Sequence, residues 1–168
     1  HSITSGRFTL CAVICVLTSA TLAAAGMPGG YTPIPLGPLD NITAMNEHAQ
    51  IVGTTVDDGV VRAFVVTEKL PHKLLPLPDG MLSSTALDIN DWGEIVGSVS
   101  MSEHAQVNEV AAIWMPDGQG GYKCDLLGAI AGDTGSVATA INNLGDIVGI
   151  STNQRASRAV LFSTDGRI

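Results

Sequence analysis

Aromatic residues make up only 4% of the chain, two Trp, two Tyr and three Phe. Lysine is confined to Lys69, Lys73 and Lys123. No basic patch and no interleaving of basic and aromatic residues exists, which argues against a nucleic-acid partner. Positive charge of any kind is scarce: 8 Lys and Arg stand against 16 Asp and Glu, for a net charge of −8. The acids are dispersed and form no tail, so they read as a solvated surface rather than a binding tract. The same balance argues against polybasic adhesion to anionic lipid. Cysteine is scarce too. Cys11 and Cys15 lie in an apolar run, and Cys124 is the only one after it, so residues 28–168 hold no internal disulfide. Cys124 reads as a small apolar strand residue rather than an inter-chain bridge.

One stretch is rich in what the rest lacks. Residues Phe8 to Ala25, "FTLCAVICVLTSATLAAA", carry no charge and follow Arg7. A short positive flank, an apolar centre and the ending Ala23-Ala24-Ala25 describe a signal peptide cleaved before Gly26. Extended through Met27 the run is about 20 residues, enough at ~1.5 Å per residue to cross a ~30 Å hydrocarbon core. Residues 1–27 are therefore expected to be a signal peptide or an uncleaved signal-anchor helix. In either case residues 28–168 face out of the cytoplasm. Ile14 before Cys15 and Leu10 before Cys11 are too bulky for a lipidation site.

Gly, Ala and the β-branched residues dominate the remainder, which points to an all-β domain. A motif recurs three times: "AMNEHAQIVG" at 44–53, "DINDWGEIVG" at 88–97 and "AINNLGDIVG" at 140–149. Each copy is followed by an R-A-F-type strand ("RAFVV", "AAIWM", "RAVLF") and preceded by an L-L-type strand ("TPIPLG", "KLLPLPDG", "CDLLG"). The expected repeats are 31–72, 73–123 and 124–168. Asn90 and Gly93, like Asn142 and Gly145, frame a hairpin turn: Asn bonds its own backbone and Gly supplies positive φ. Asn46 is kept in the first copy but Ala49 stands at the glycine position, so strain or a different turn is expected there. Asp57-Asp58-Gly59, Pro116-Asp117-Gly118 and Thr164-Asp165-Gly166 are further turns. Ile-Val pairs followed by Gly53, Gly97 and Gly149 suggest strands packed on both faces, with close backbone approach at the glycines.

Four strands per repeat of about 45 residues match a β-propeller blade. The expected fold is a β-propeller-like array of about three four-stranded repeats, an open arc or part of a ring, preceded by one N-terminal hydrophobic helix. The strand at Thr32–Gly37 is placed to complete the last repeat and close a ring. A two-sheet sandwich or a β-solenoid fits less well.

The A-x-x-I-N-x-x-G-x-I/V-V-G segments at 86–97 and 138–149, followed by an H-A-F-L-W-like strand, resemble HAF-repeat proteins. The second part matches loosely, with Arg62-Ala63-Phe64 and Arg158-Ala159-Val160 carrying Arg for His. The resemblance covers most of 30–168. It implies export and a propeller-like arrangement, and it brings no catalytic residues.

No zinc spacing is formed by His48, His72 or His104. No nucleophile elbow or P-loop is present. Asp88 to Ile95 starts like a calcium loop, but Trp92 and Val99 occupy ligand positions, so the turn reading is preferred to metal. "GAIAGDTGS" at 128–136 reads as a flexible linker rather than a phosphate cradle. Asn41-Ile42-Thr43 is a glycosylation sequon if the chain is eukaryotic. Trp92, at a hairpin tip, is expected to pack on a neighbour, with partner contact the alternative.

The expected function is a non-catalytic extracytoplasmic repeat domain, structural or protein-binding, with a membrane-anchored accessory subunit held through residues 8–27 as its anchored variant. No catalytic, cofactor or metal residue is assigned, and Trp92 is the candidate partner contact. Self-association through exposed β edges is the other expected partnership. The alternatives are an exported hydrolase using Asp88, Asp91, Glu94 and Asp146, or a fragment of a longer propeller.

Overall fold

The computed structural model describes residues 35–36, 41–68, 72–103 and 108–163. These hold eleven strands: β1 Asn41–Met45, β2 Ile51–Asp57, β3 Val60–Val66, β4 Lys73–Leu74, β5 Ser83–Ile89, β6 Ile95–Ser100, β7 Glu109–Pro116, β8 Tyr122–Gly128, β9 Gly135–Ile141, β10 Ile147–Thr152 and β11 Ser157–Phe162. No helix is present among the described residues, and none there is long and apolar enough to cross a membrane. The expected N-terminal helix at 1–27, most of the strand at Thr32–Gly37, His104 and the Thr164-Asp165-Gly166 turn lie outside the described residues.

Three antiparallel sheets follow one another in chain order, β1-β2-β3-β4, β5-β6-β7-β8 and β9-β10-β11. The domain is all-β. The L-L-type strands belong to the sheet before them: Leu74 pairs with Phe64 and Cys124 with Trp114. The sheets therefore start at Asn41, Ser83 and Gly135, not at the repeat starts 73 and 124. β4 and β8 each lie antiparallel to the strand that precedes them.

Turn chemistry fixes the hairpins. Asp58 (φ 48) and Gly59 (φ 82) are the two residues between Asp57 and Val60, which pair. Positive φ at both is the twist-matched two-residue turn that Asp-Gly favours. At the three motif turns the fourth residue is also left-handed: Gly93 at φ 79, Gly145 at φ 83 and Ala49 at φ 55. Ala49 donates to the Asn46 carbonyl (3.2 Å) as Gly93 does to Asn90 (3.1 Å). The first copy thus keeps the same turn and carries the strain, which for an L-residue is ~1–2 kcal/mol.

The strand glycines have a different cause from the crowding between repeats that their positions suggest. A Cβ on Gly53 would stand 2.0 Å from the Asn41 carbonyl oxygen, on Gly97 1.9 Å from Thr85 and on Gly149 2.0 Å from Val137. All three collisions are with the neighbouring strand of the same sheet, beside an irregularity in its register. A bulge pushes one carbonyl toward the partner strand, and only glycine leaves room for it.

The middle sheet is covered on both faces. Ile95, Val99, Ala112 and Trp114 pack with Val52, Ala63 and Val65 of the first sheet and with Leu75 just after it. Val96 and Ala111 pack with Ala138, Ile141 and Ile147 of the third. All six residues of β6 are buried, whereas β10 alternates, with Val148 and Ile150 exposed. Burying each large apolar side chain is worth ~1.5–3 kcal/mol, so these two clusters hold the sheets together. Polar links run between the sheets as well. Ser84 Oγ accepts the Ala63 N–H and Ser136 Oγ the Ala111 N–H, both at 2.9 Å. The buried Trp114 donates its indole N–H to the Pro76 carbonyl at 2.8 Å.

Candidate partner-binding surface

The three motif turns lie in a row; the asparagine of each closes its own turn, and the first two also join their sheet to the next. Asn90 Oδ1 accepts the N–H groups of Trp92 (3.1 Å) and Glu94 (2.9 Å), which closes the turn. Asn46 Oδ1 does this for His48 (3.1 Å) and Gln50 (3.0 Å), and Asn142 Oδ1 for Leu144 and Asp146 (both 2.9 Å). The amide nitrogen then reaches out of the sheet. Asn46 Nδ2 donates to the Asn90 carbonyl (2.9 Å) and Asn90 Nδ2 to the Asn142 carbonyl (3.1 Å). Each Nδ2 also donates to the side chain four residues on, Gln50 Oε1 (2.6 Å), Glu94 Oε2 (2.6 Å) or Asp146 Oδ2 (2.8 Å).

A second rung runs beside this ladder. The Glu47 N–H donates to Asp91 Oδ1 (3.0 Å) and the Asp91 N–H to Asn143 Oδ1 (2.9 Å). The Glu47 N–H, followed by the Asn143 amide, holds the Asp91 carboxyl below its ordinary value. Asp88 Oδ2 accepts the Ile141 N–H at 2.9 Å. Two carboxylates of the calcium-like loop, Asp88 and Asp91, are thus engaged in holding sheets together. Among the described residues no three His, Cys, Asp or Glu side chains gather as a metal site.

Trp92 is not packed. It is 71% exposed, contrary to the expectation of a covered ring. Its indole N–H donates to the Asn143 carbonyl at 2.9 Å, so the ring is anchored on the next tip while its faces stay open. Beside it lies an open groove of about 950 Å3, lined by Trp92, Asp91, His48, Pro116 and Tyr122 and by the 118–121 turn. Asp117 shapes that turn by accepting the Gln119 (2.7 Å) and Gly121 (2.8 Å) N–H groups at Oδ1. These two bonds, in that order, lower its pKa. Burial raises that of Tyr122.

The sequence singled out Asn46, Asn90, Gly93, Asn142, Gly145 and Trp92, and the structure brings all six to this row of tips. It did not point to Pro116, Tyr122 or the Asp117 turn as neighbours of Trp92. The signal was available in the Pro-Asp-Gly turn, which returns the chain to the end of the sheet where Trp92 stands.

The glycine-rich segment at 128–136 is pinned, not free. The Ile130 N–H donates to Ser151 Oγ (3.0 Å). Asp133 accepts from Ser151 Oγ (2.6 Å), Asn153 Nδ2 (2.7 Å) and the Arg158 guanidinium. The Ser151 hydroxyl, first among these, lowers the Asp133 pKa. Cys124, half-buried in β8 against the first core cluster, has its thiol pushed up to about 12 by burial and by Asp125.

No protein-family model, no curated protein and no solved structure matches the chain.

Proposed function

We propose that residues 28–168 are an extracytoplasmic, β-propeller-like repeat domain that binds a protein partner and performs no catalysis. The observation that carries this reading is Trp92: an exposed indole whose N–H is fixed on Asn143. A ring held in place and open to solvent loses little conformational freedom on binding, the property of an interface anchor. The groove between it and the Asp117 turn offers apolar and amide surface to a peptide segment. The stacked meander sheets and the resemblance to HAF repeats support the propeller-like arrangement. The apolar run at Phe8–Ala25 supports export, as a signal peptide or as the anchor of an accessory subunit. The carboxylates a hydrolase would use accept hydrogen bonds instead, Asp91, Glu94 and Asp146 from the motif turns and Asp88 from the Ile141 N–H of β9, which favours the non-catalytic reading.

The test is native purification of the wild-type chain and of Trp92→Ala, with identification of bound proteins. A specific partner retained by the wild type and lost from the folded variant is expected. Identical partners with both would sink the Trp92 assignment. Intact mass of the extracted chain separates anchor from signal: a mass beginning at Gly26 rules out the anchor.

A further inference from the structure

The bonds that join the sheets have a direction, and they stop at both ends of the described domain. Asn46 and Asn90 each donate Nδ2 to the next asparagine's carbonyl; Asn142 donates only to Asp146 among the described residues. Conversely, the Asn90 and Asn142 carbonyls each accept a turn N–H and the amide of the preceding sheet, while the Asn46 carbonyl accepts only the Ala49 N–H there. Among the described residues, one end of the ladder thus has a spare donor and the other a spare acceptor. Thr43 and Thr139 repeat the pattern. Thr43 Oγ1 reaches both the Val52 carbonyl (3.2 Å) and, across the sheets, the Ala86 carbonyl (2.9 Å); among the described residues Thr139 Oγ1 reaches only the Val148 carbonyl (3.2 Å).

Apolar exposure follows the same logic. Val52, Val96 and Val148 hold the same place in the motif. The first two are 0% exposed under the next sheet and Val148 is 47% exposed. On the opposite side, Ile89 and Ile141 are 5% and 9% exposed under the preceding sheet, and their counterpart Met45 is 65% exposed. Ile150 beside Val148 and Ile42 beside Met45 are exposed as well. Each of these side chains is exposed where its counterparts are covered by an adjacent sheet.

We propose that a second copy of this chain docks head to tail, its first sheet covering the Val148–Ile150 face of the third. The donors at Asn142 and Thr139 then meet the Asn46 and Ile42 carbonyls of the second copy, continuing the bonds that already join the sheets within one chain. Such a contact is heterologous, so it closes a ring if the rotation allows and otherwise extends a filament. The inference rests on the repeat-array reading of the domain. It does not use Trp92.

Sedimentation velocity of the full chain in density-matched detergent tests it, with Trp114 fluorescence reporting the fold. The wild type is expected at twice the monomer mass or more at tens of micromolar. Val148→Asp and Met45→Asp, both at exposed positions, are each expected to sediment as monomers. An equimolar mixture of the two is expected to return to the dimer mass, since each variant retains the face the other lacks. A monomeric wild type, or a Met45→Asp chain that still pairs with itself, overturns the proposal. Either result leaves the Trp92 reading standing, because Trp92→Ala is expected to self-associate like the wild type.

Discussion

Replacing Asn90 by Ala tests whether the amide ladder is a stabilising element or only a by-product of the turns. Asn90 is buried and makes four hydrogen bonds with its side chain. Two of the groups it serves have alternatives: the Asn142 carbonyl still accepts the Gly145 N–H (3.1 Å), and the partly exposed Glu94 carboxylate can turn to water. The Trp92 and Glu94 N–H groups have none in the turn. A buried donor left unpaired costs ~1–3 kcal/mol, so Asn90→Ala should cost about 2–5 kcal/mol. Asn142→Ala removes the same two turn bonds at an exposed tip, where water replaces the side chain, and should cost only about 1 kcal/mol. Asn90→Asp keeps both turn bonds but sets a carboxylate oxygen against Glu94 and the Asn142 carbonyl. It isolates the amide half of the effect and should lie between the two. The assay is urea unfolding followed by Trp114 fluorescence. At a slope of about 1.5 kcal/mol per molar, Asn90→Ala lowers the midpoint by about 1–3 M. Equal midpoints for Asn90→Ala and Asn142→Ala, or a wild-type midpoint for Asn90→Asp, would refute the inter-sheet role.

Ala49→Gly removes the left-handed strain at φ 55 and loosens the unfolded chain, for a net gain of about 0.5–1 kcal/mol and a Tm rise of about 2 °C by calorimetry. Gly97→Ala drives a methyl group to 1.9 Å from the Thr85 carbonyl and should cost more than about 3 kcal/mol, whereas Gly145→Ala, with open space around it, should cost about 1 kcal/mol. Comparison of the two urea midpoints checks this. The Cys124 thiol, raised to about 12 from an ordinary 9.0, stays protonated where a free thiol ionises. At pH 9 only about a thousandth of it is thiolate, so peptide-mapped alkylation of Cys124 should be hundreds-fold slower in the folded chain than in urea.

Much of this architecture was legible in the chain itself because the motif repeats. A turn that reads Asn-x-x-Gly twice, and Asn-x-x-Ala once, carries its own backbone requirement, and the strand pairings follow from it. The repeat boundaries were not legible in the same way. An L-L-type strand lies between two motif copies, and spacing alone does not say which neighbour it pairs with; the pairings of Leu74 with Phe64 and of Cys124 with Trp114 decide that. The strand glycines were legible as points of close approach, but not the cause, since a bulge leaves no residue signature of its own. Trp92 was legible as a candidate and its exposure was not, because an aromatic at a hairpin tip is compatible with either state. The second job of the asparagines was latent in the spacing. Asn46 and Asn90 occupy equivalent points of adjacent sheets, so an amide facing out of one sheet meets the backbone of the next.

That second job explains why a polar ladder accompanies an apolar interface. Packing of Val52 on Ile95, or of Val96 on Ile147, is non-directional and tolerates sliding of one sheet along another. The asparagine bond does not. Its donor and acceptor are fixed to the same turn in adjacent sheets, and a shift of one residue separates Nδ2 from the carbonyl and leaves each with only its bond inside its own turn. The ladder therefore sets the stacking register while the apolar faces supply most of the free energy. The division also explains how the chain tolerates unequal repeats. The longer spacing between the second and third motifs includes the insertion between β6 and β7, away from the motif turn, so the Asn90–Asn142 bond forms with the same atoms as the Asn46–Asn90 bond. An insertion inside an Asn-x-x-Gly turn has no such escape and should uncouple the sheets on either side of it.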